Sequence, residues 1–238
     1  MPIGKSEKFK KVETKEQIEE SLKIKIFNTI EQILENPVLV GEGKAAKVYS
    51  YEDEVFCIKE IKTIEKIMEE RQLSFSEAIL KKREFSFNDI HDERRRQEEG
   101  IKMGIRSPEP YASIETMDGR KFIIMETIDG YDFEEIKKDP RKLPADFDAE
   151  IFLNELGRMI GRLHAGKMHH RDLHNGNIMV ESKTALPVII DYGHAVYEYG
   201  LEDPYIEKDF PKLGHTTRYK KDLDRFKKIG DLVLQLTK

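Results

Sequence analysis

The spacing of apolar residues predicts one long amphipathic helix near the start of the chain. Between residues 15 and 35, isoleucine and leucine recur every three or four positions, at Ile18, Leu22, Ile26, Ile30 and Ile33. This interval places the apolar side chains on one face of a helix. Pro37 is expected to stop the helix, because proline cannot continue its hydrogen bonding. We therefore expect residues 1–37 to form an N-terminal helical extension.

From Val38 onward the pattern changes to short apolar runs that are typical of β-strands. The runs VLV, KVYSY and EVFCIKEI come first, and YASIET and KFIIMET follow later, joined by the turn MDGR. Apolar runs of this length, separated by turn residues, favour a small antiparallel sheet. A charged segment over residues 62–104 separates the two groups of strands and predicts two or three helices.

The second half of the chain has a mainly helical pattern. Residues 148–165 carry apolar side chains on one face, and a last helix is predicted near residues 221–236. Between these helices lie the run HHRDLHNGNIMV and the strand PVIIDYG. The pattern predicts an α+β protein with a β-rich part over residues 38–130, divided near Gly130 from a mostly helical part over residues 131–238.

Composition narrows the class of protein. Hydrophobic residues make up 38% of the chain and charged residues 37%, which allows a buried core. No apolar run approaches the roughly 18 residues that span a membrane, and the lysine-rich start lacks the apolar block of a secretory signal. A net charge of -5 does not indicate a general nucleic-acid binder. Because Cys57 is the single cysteine, no internal disulfide can form, and we expect a cytoplasmic protein without a membrane partner.

Two residues in the run HHRDLHNGNIMV point to phosphoryl transfer. Asp172 and Asn177 lie five residues apart on a loop that follows a predicted helix. In phosphoryl transfer, such an acid orients the attacking hydroxyl and accepts its proton, while the amide oxygen helps to hold Mg²⁺. A second metal-binding carboxylate is predicted at Asp191, which follows the apolar run VII and precedes a Tyr-Gly turn.

The same chemistry needs a backbone cradle and a cation for the phosphates. The run GEGKAAKVY supplies Gly41 and Gly43, which let the backbone approach phosphate groups closely. In the same run, Val48 would cover the base of a bound nucleotide. Lys59 lies at the end of the next strand, VFCIK, and is the predicted cation.

Taken in order along the chain, these residues resemble the protein-kinase superfamily. The resemblance spans roughly residues 38–230 and includes the glycine loop, the strand lysine, the HRD loop with its asparagine, and DYG in place of the usual DFG. It implies ATP and Mg²⁺ as cofactors. It also implies that FIIMETIDG contacts adenine, with Met125 as gatekeeper and Glu126 to Ile128 supplying backbone contacts.

Within this superfamily, the runs GEGKAAKVYSY and GIRSPEPYA resemble the atypical RIO kinases and the small kinase of the tRNA threonylcarbamoylation complex. By that pattern Glu93 is the helix glutamate that pairs with Lys59. The interval between the two is longer than in typical kinases, so Glu77 remains an alternative partner.

The acceptor is less closely defined, because several positions depart from the protein-kinase pattern. Ala46 replaces the third glycine, and His174 stands where serine/threonine kinases usually carry a lysine. The run DLHNGN is closer to aminoglycoside and choline kinases, and the stretch after DYG is short enough to predict that the later kinase helices are absent.

We therefore expect an ATP-dependent phosphotransferase, first as a minimal serine/threonine protein kinase acting on a folded protein. A small-molecule hydroxyl kinase and an ATP-binding switch with little turnover are the alternatives. The expected catalytic residues are Asp172, Lys59, Glu93, Asn177 and Asp191, of which Asn177 and Asp191 hold the metal. Arg171, His174 and Asp224 are predicted to support them, with Asp224 anchoring the catalytic loop from the last helix.

Overall fold

The computed structural model describes residues 9–14, 38–43, 46–50, 56–85, 89–197 and 215–237. The chain divides into two compact units. The first contains residues 1–95 and 109–127, and the second contains residues 96–108 and 128–238. The boundary predicted near Gly130 placed residues 96–108 with the first part, whereas Ile105 is buried in the core of the second unit.

The first unit contains a six-stranded antiparallel sheet. Its strands are β1 (Phe9–Thr14), β2 (Val38–Glu42), β3 (Ala46–Ser50), β4 (Phe56–Ile61), β5 (Pro110–Thr116) and β6 (Lys121–Glu126). They lie in the order β1-β5-β6-β4-β3-β2. The short runs after Val38 form β2 to β6, so the predicted antiparallel sheet is confirmed.

The edge strand β1 comes from a region that the sequence pattern assigned to a helical extension. Phe9–Thr14 pairs with β5, with Val12 opposite Ile114. The extension is therefore not helical throughout. The strand is hard to recognise because charged side chains interrupt FKKVET, and it is defined by its pairing with a distant strand. The helix predicted over residues 15–35 lies outside the described residues.

In its described residues, the charged segment between the two groups of strands contains three helices, the upper number predicted. They are α1 (Ile64–Arg71), α2 (Phe75–Phe85) and α3 (Ile90–Lys102). The hydroxyl of Thr63 caps α1 by accepting the backbone N–H of Lys66 at 3.2 Å. Helix α3 crosses the boundary between the units after Arg95.

Short strands pair at two places in the second unit. The strands β7 (Gly130–Asp132), β9 (Ile178–Glu181) and β10 (Pro187–Ile189) form one sheet, and β8 (Met168–His169) pairs with β11 (Val196–Tyr197). A Cβ at Gly130 would lie 2.3 Å from the Val180 carbonyl oxygen, so only glycine lets β7 approach β9 this closely.

Helices make up most of the remaining regular structure in the described part of the second unit. Besides the end of α3, they are α4 (Phe133–Lys138), α5 (Ala149–Ala165) and α6 (His215–Leu236). Helix α5 confirms the helix expected over residues 148–165 and buries Phe152, Leu156, Met159, Ile160 and Leu163. The predicted last helix is present in α6 but begins six residues earlier than expected, at His215. No helix in the described parts of the chain has both the length and the apolar character needed to cross a membrane.

Candidate active site

The first unit contains a buried ion pair between Lys59 and Glu93. Strand β4 carries Lys59 and helix α3 carries Glu93, and the Lys59 Nζ lies 2.6 Å from the Glu93 Oε1. The two side chains are only 9% and 2% exposed. A charged lysine and a charged glutamate are tolerated at this depth because each neutralises and hydrogen-bonds the other.

The alternative partner, Glu77, lies elsewhere. Its carboxylate accepts hydrogen bonds from the backbone N–H of Ser74 at 2.9 Å and from the Ser74 hydroxyl at 2.5 Å. Glu77 is exposed at the start of α2, where it stabilises the beginning of that helix. Of the two glutamates left open by the sequence, the structure brings Glu93 to Lys59.

We expect Glu93→Gln to lower the rate of phosphoryl transfer by about 10- to 100-fold, since a buried hydrogen bond between charged groups contributes about 1.5–3 kcal/mol. The matched control is Glu77→Gln, which changes an exposed glutamate and should leave the rate within about twofold. Steady-state kinetics of both variants test the assignment. A larger loss in Glu77→Gln than in Glu93→Gln would contradict it.

The predicted phosphate cradle lies at the turn between β2 and β3. The Gly43 N–H donates to the Ala46 carbonyl at 2.8 Å, and Gly41 pairs with Val48 across the two strands. A Cβ at Gly41 would lie 3.8 Å from the Val48 Cβ, which is an ordinary contact. Packing within the described residues therefore does not require glycine at position 41. Residues 44 and 45, which follow Gly43 in the sequence, lie outside the described residues.

The predicted adenine-binding segment begins at the end of β6. Met125 pairs with Cys57 of β4, and the Glu126 N–H donates to the Glu109 carbonyl at 2.8 Å. The Glu126 carbonyl accepts the Cys57 thiol at 3.5 Å. Ile128 follows in the second unit, before β7.

Cys57 is a buried free cysteine of the first unit. Loss of hydration raises the pKa of its thiol to about 12, so the reactive thiolate is not populated near neutral pH.

In the second unit, Asn177 is bonded directly to the backbone of Asp172. The Asn177 Nδ2 donates to the Asp172 carbonyl at 2.8 Å and lies 3.4 Å from the Asp172 Oδ2. The His174 Nε2 lies 3.6 Å from the same carboxylate oxygen, and the His174 N–H donates to the Asp172 carbonyl at 2.9 Å. The structure therefore groups Asp172, His174 and Asn177 in one turn.

Asp191 is attached to the same turn through the residue before it. The Ile190 N–H donates to the Asn177 carbonyl at 3.0 Å, and the Ile190 carbonyl accepts the Nε2–H of His170 at 3.1 Å. Both backbone groups of Ile190 thus bind the segment that carries Asp172 and Asn177. The structure therefore brings together, within the second unit, the two segments that carry Asp172, Asn177 and Asp191.

The donor set around this turn fits a divalent cation. The NH₂ group of Asn177 is committed to Asp172, so the amide oxygen is the group that Asn177 can offer to a metal. The carboxylate of Asp191 is the second oxygen donor, and carboxylate and amide oxygens are ligands that Mg²⁺ accepts. Asn177 and Asp191 are therefore the residues that would hold Mg²⁺.

The loop is anchored by Asp222 of α6, not by Asp224 as the sequence predicted. The buried carboxylate of Asp222 accepts the backbone N–H groups of His170 at 3.1 Å and Arg171 at 2.8 Å. Arg171 has a left-handed backbone with φ 68°, which these bonds help to hold. Asp224 is exposed, because residues two apart on a helix point to different sides.

His164 completes the anchor. Its Nε2 lies 3.1 Å from the Asp222 Oδ2, and its ring lies 5.3 Å from that of His169. Although burial alone would raise the pKa of the Asp222 carboxyl, the hydrogen bond with His164 and the amide of Arg171 hold this pKa below its usual value. His164, His169 and Asp222 could be grouped around a metal ion, but we interpret them as a loop anchor because both carboxylate oxygens already accept loop amides.

Comparison with known proteins identifies related sequences. The profile of the lipopolysaccharide kinase (Kdo/WaaP) family matches residues 77–229. The chain is 28% identical over 185 residues to the KEOPS complex subunit Bud32 of Pyrococcus abyssi, which covers 76% of this chain and 78% of that protein. It is 31% identical over 147 residues to a probable bifunctional tRNA threonylcarbamoyladenosine biosynthesis protein of Methanosphaera stadtmanae, which covers 59% of this chain but only 26% of that longer protein.

These matches confirm the resemblance to small atypical kinases that the motifs predicted, and they support ATP-dependent phosphotransfer. The family profile covers more than half of the chain and includes Glu93, Asp172, Asn177 and Asp191. The chain belongs to the lipopolysaccharide kinase (Kdo/WaaP) family, within the protein-kinase-like superfamily.

Proposed function

We propose that this protein is a Mg²⁺-dependent kinase that transfers the γ-phosphoryl group of ATP to a hydroxyl group. The observation that carries the proposal is the arrangement of three residues in the second unit. Asn177 bonds to Asp172, and the backbone of Ile190 bonds to Asn177, so that Asp191 is held next to the same turn. Phosphoryl transfer uses an acid beside two metal-binding oxygens in this way.

In this proposal Asp172 orients the acceptor hydroxyl and accepts its proton. Its carboxylate is 27% exposed, so an acceptor can reach it, and its backbone carbonyl is fixed by Asn177. The His174 Nε2 lies beside the same carboxylate, 3.6 Å from its Oδ2. The group that receives the proton is thus positioned before the acceptor binds.

Lys59 binds the α- and β-phosphates of ATP in this proposal, and Glu93 holds its ammonium in place. Gly41 and Gly43 supply backbone that can approach the phosphates, and Val48 packs on the base. Bound Mg²⁺ would neutralise charge on the phosphate oxygens during transfer. The contribution of the protein is to position these charges in advance.

We propose a serine or threonine hydroxyl on a folded protein as the first acceptor. The glycine loop and the HRD motif support a protein kinase. The relative from Pyrococcus abyssi is named as a subunit of a complex, which supports an association of this protein with other proteins. A short peptide would lose conformational entropy on binding while making few contacts beyond its hydroxyl residue. A docked folded surface avoids most of that loss.

A small-molecule or saccharide hydroxyl is the second candidate. The name of the matching family gives lipopolysaccharide as the acceptor, and lipopolysaccharide is not a protein. His174 also stands where serine/threonine kinases usually carry lysine, and DLHNGN is closer to small-molecule kinases. These features favour an acceptor that is recognised by a pocket instead of a protein surface.

An acceptor panel tests the proposal. The purified protein is incubated with Mg²⁺ and γ-labelled ATP, alone, with intact folded proteins, with ten-residue peptides and with sugar alcohols, at matched hydroxyl concentrations. We expect label on folded protein, including the kinase itself, and little on peptides. Rapid labelling of a sugar with no labelled protein would establish the second candidate. Nucleotide binding without transfer to any acceptor would instead support an ATP-binding switch.

A further inference from the structure

The phenol of Tyr192, which follows Asp191, is fully buried and hydrogen-bonded. Its side chain is 0% exposed, and its hydroxyl lies 3.0 Å from the Ser107 Oγ. Its ring also packs edge-on against His170, with centroids 5.0 Å apart. Burial raises the pKa of the phenol far above its usual value, so the hydroxyl keeps its proton near neutral pH.

The direction of this hydrogen bond follows from the second partner of Ser107. The Ser107 Oγ lies 2.7 Å from the Ile189 carbonyl oxygen, which can only accept, so the single hydroxyl proton of Ser107 is donated there. Tyr192 must therefore donate to Ser107. The result is a chain from the Tyr192 hydroxyl through Ser107 to the backbone of Ile189, two residues before Asp191.

The neighbouring helix leaves room for this hydroxyl. A Cβ at Gly100 of α3 would lie 2.8 Å from the Tyr192 Oη and 3.0 Å from its Cε1. Those distances are closer than van der Waals contact allows, so the tyrosine fits because position 100 is glycine. Glycine inside a helix is destabilising relative to alanine, and the space that it leaves here is occupied by the phenol.

Asp191 itself adopts a backbone conformation that residues other than glycine seldom adopt. Its φ is 65° and its ψ is 80°, in the left-handed region, and its Oδ1 accepts the Gly193 N–H at 3.2 Å. Such a conformation persists only when the surrounding structure holds it. On its N-terminal side, Ile189 is fixed twice, because its N–H donates to the Arg106 carbonyl at 3.0 Å and its carbonyl accepts Ser107.

We propose that the Tyr192 hydroxyl is a positioning group for Asp191. Bonded through Ser107 to Ile189, it ties the residue after Asp191 to the strand before it, and so holds the Asp191 backbone in the conformation that presents its carboxylate to Mg²⁺. The inference rests on the proposed function for the role of the metal. The hydrogen-bond chain and its effect on the backbone do not depend on that function.

Removing the hydroxyl alone provides the test. Tyr192→Phe keeps the ring, its packing on His170 and the burial, but removes the donor to Ser107. We expect hydrogen exchange in peptides covering residues 188–193 to become roughly three- to tenfold faster in the nucleotide-free protein, as expected for one lost hydrogen bond. The Mg²⁺ concentration that gives half-maximal binding of a non-hydrolysable ATP analogue should rise by a similar factor, while binding of the analogue without Mg²⁺ stays unchanged.

Tyr197→Phe is the matched control. The Tyr197 hydroxyl is bonded to the carboxylate of Glu99 on helix α3 and not to Ile189. This variant removes a phenol hydroxyl from the same unit, and it should leave both the exchange of residues 188–193 and the Mg²⁺ requirement at wild-type values.

A second variant tests the chain itself. Ser107→Ala removes the hydroxyl that connects Tyr192 to the Ile189 carbonyl. Adding Tyr192→Phe to this variant should cause no further rise in the Mg²⁺ requirement, because both changes break the same series of hydrogen bonds. Unchanged exchange in Tyr192→Phe would overturn the inference, and so would faster exchange with an unchanged Mg²⁺ requirement. Wild-type protein that binds the analogue equally with and without Mg²⁺ would overturn the proposed function, and with it the role of Tyr192 in metal binding.

Discussion

Replacing Asp172 by asparagine should slow phosphoryl transfer by about 10²–10⁴-fold, the usual contribution of a positioned general base. The change removes the group that accepts the hydroxyl proton and leaves the shape of the side chain. The turn should survive, because Asn177 is bonded mainly to the Asp172 backbone carbonyl at 2.8 Å and only weakly to the carboxylate at 3.4 Å. Nucleotide affinity should therefore stay within about threefold, since the loss of a weak contact costs well under 1 kcal/mol.

Single-turnover transfer and nucleotide titration together measure this separation. Asp224→Asn is the matched control, because it makes the same chemical change at an exposed aspartate of the second unit. The control should transfer at the wild-type rate. Full transfer activity in Asp172→Asn, or an equal loss of transfer and of nucleotide affinity, would contradict the role proposed for Asp172.

Replacing Asp191 by asparagine should abolish most of the Mg²⁺-dependent part of nucleotide binding. The carboxylate is the charged member of the proposed metal pair, and a catalytic metal contributes several kcal/mol to transfer. Transfer should accordingly fall by about 10³-fold or more. Asparagine is preferred to alanine for this test, because it tolerates the left-handed backbone of Asp191 at φ 65°.

Thermal unfolding with ATP, in the presence and absence of Mg²⁺, measures the metal dependence. Wild-type protein should show a larger stabilisation by ATP when Mg²⁺ is present. Asp191→Asn should lose that difference, while Asp224→Asn keeps it. An equal Mg²⁺-dependent shift in Asp191→Asn and in the wild-type protein would assign the metal to other residues.

Most residues of the proposed site could be identified from the sequence because they lie in short local motifs. Asp172 and Asn177 share one turn, so their proximity follows from the spacing alone. The pairing of Lys59 with Glu93 is different, because its two members come from β4 and α3. The spacing along the sequence does not exclude Glu77 as the partner of Lys59. The position of α3 in the folded protein brings Glu93 to the lysine.

The anchor of the loop was misassigned although the sequence contained a signal for it. Asp222 is in helical register with the apolar positions Phe226, Ile229 and Val233, of which the last two are buried. An acid in line with a buried stripe is expected on the inner face of the helix. Asp224 is out of register with that stripe and faces outward. Helical periodicity, applied to the polar residues of KKDLD, would have chosen Asp222.

Other features are set by contacts between distant residues and have no local pattern. The bond between Ser107 and Tyr192 joins residues 85 positions apart, and nothing near Ser107 in the sequence marks it as a partner for a phenol. Strand β1 is likewise defined by its pairing with β5. Tertiary pairing overrides local propensity at such places.

Transfer of label from γ-labelled ATP by purified wild-type protein tests the central proposal most directly. The measurement compares reactions with Mg²⁺, with a chelator, and with Asp172→Asn in place of the wild-type protein. The proposed function predicts that label leaves ATP and appears on a protein hydroxyl only with wild-type protein and Mg²⁺. Label transfer that continues unchanged in the chelator, or at the same rate in Asp172→Asn, would contradict it.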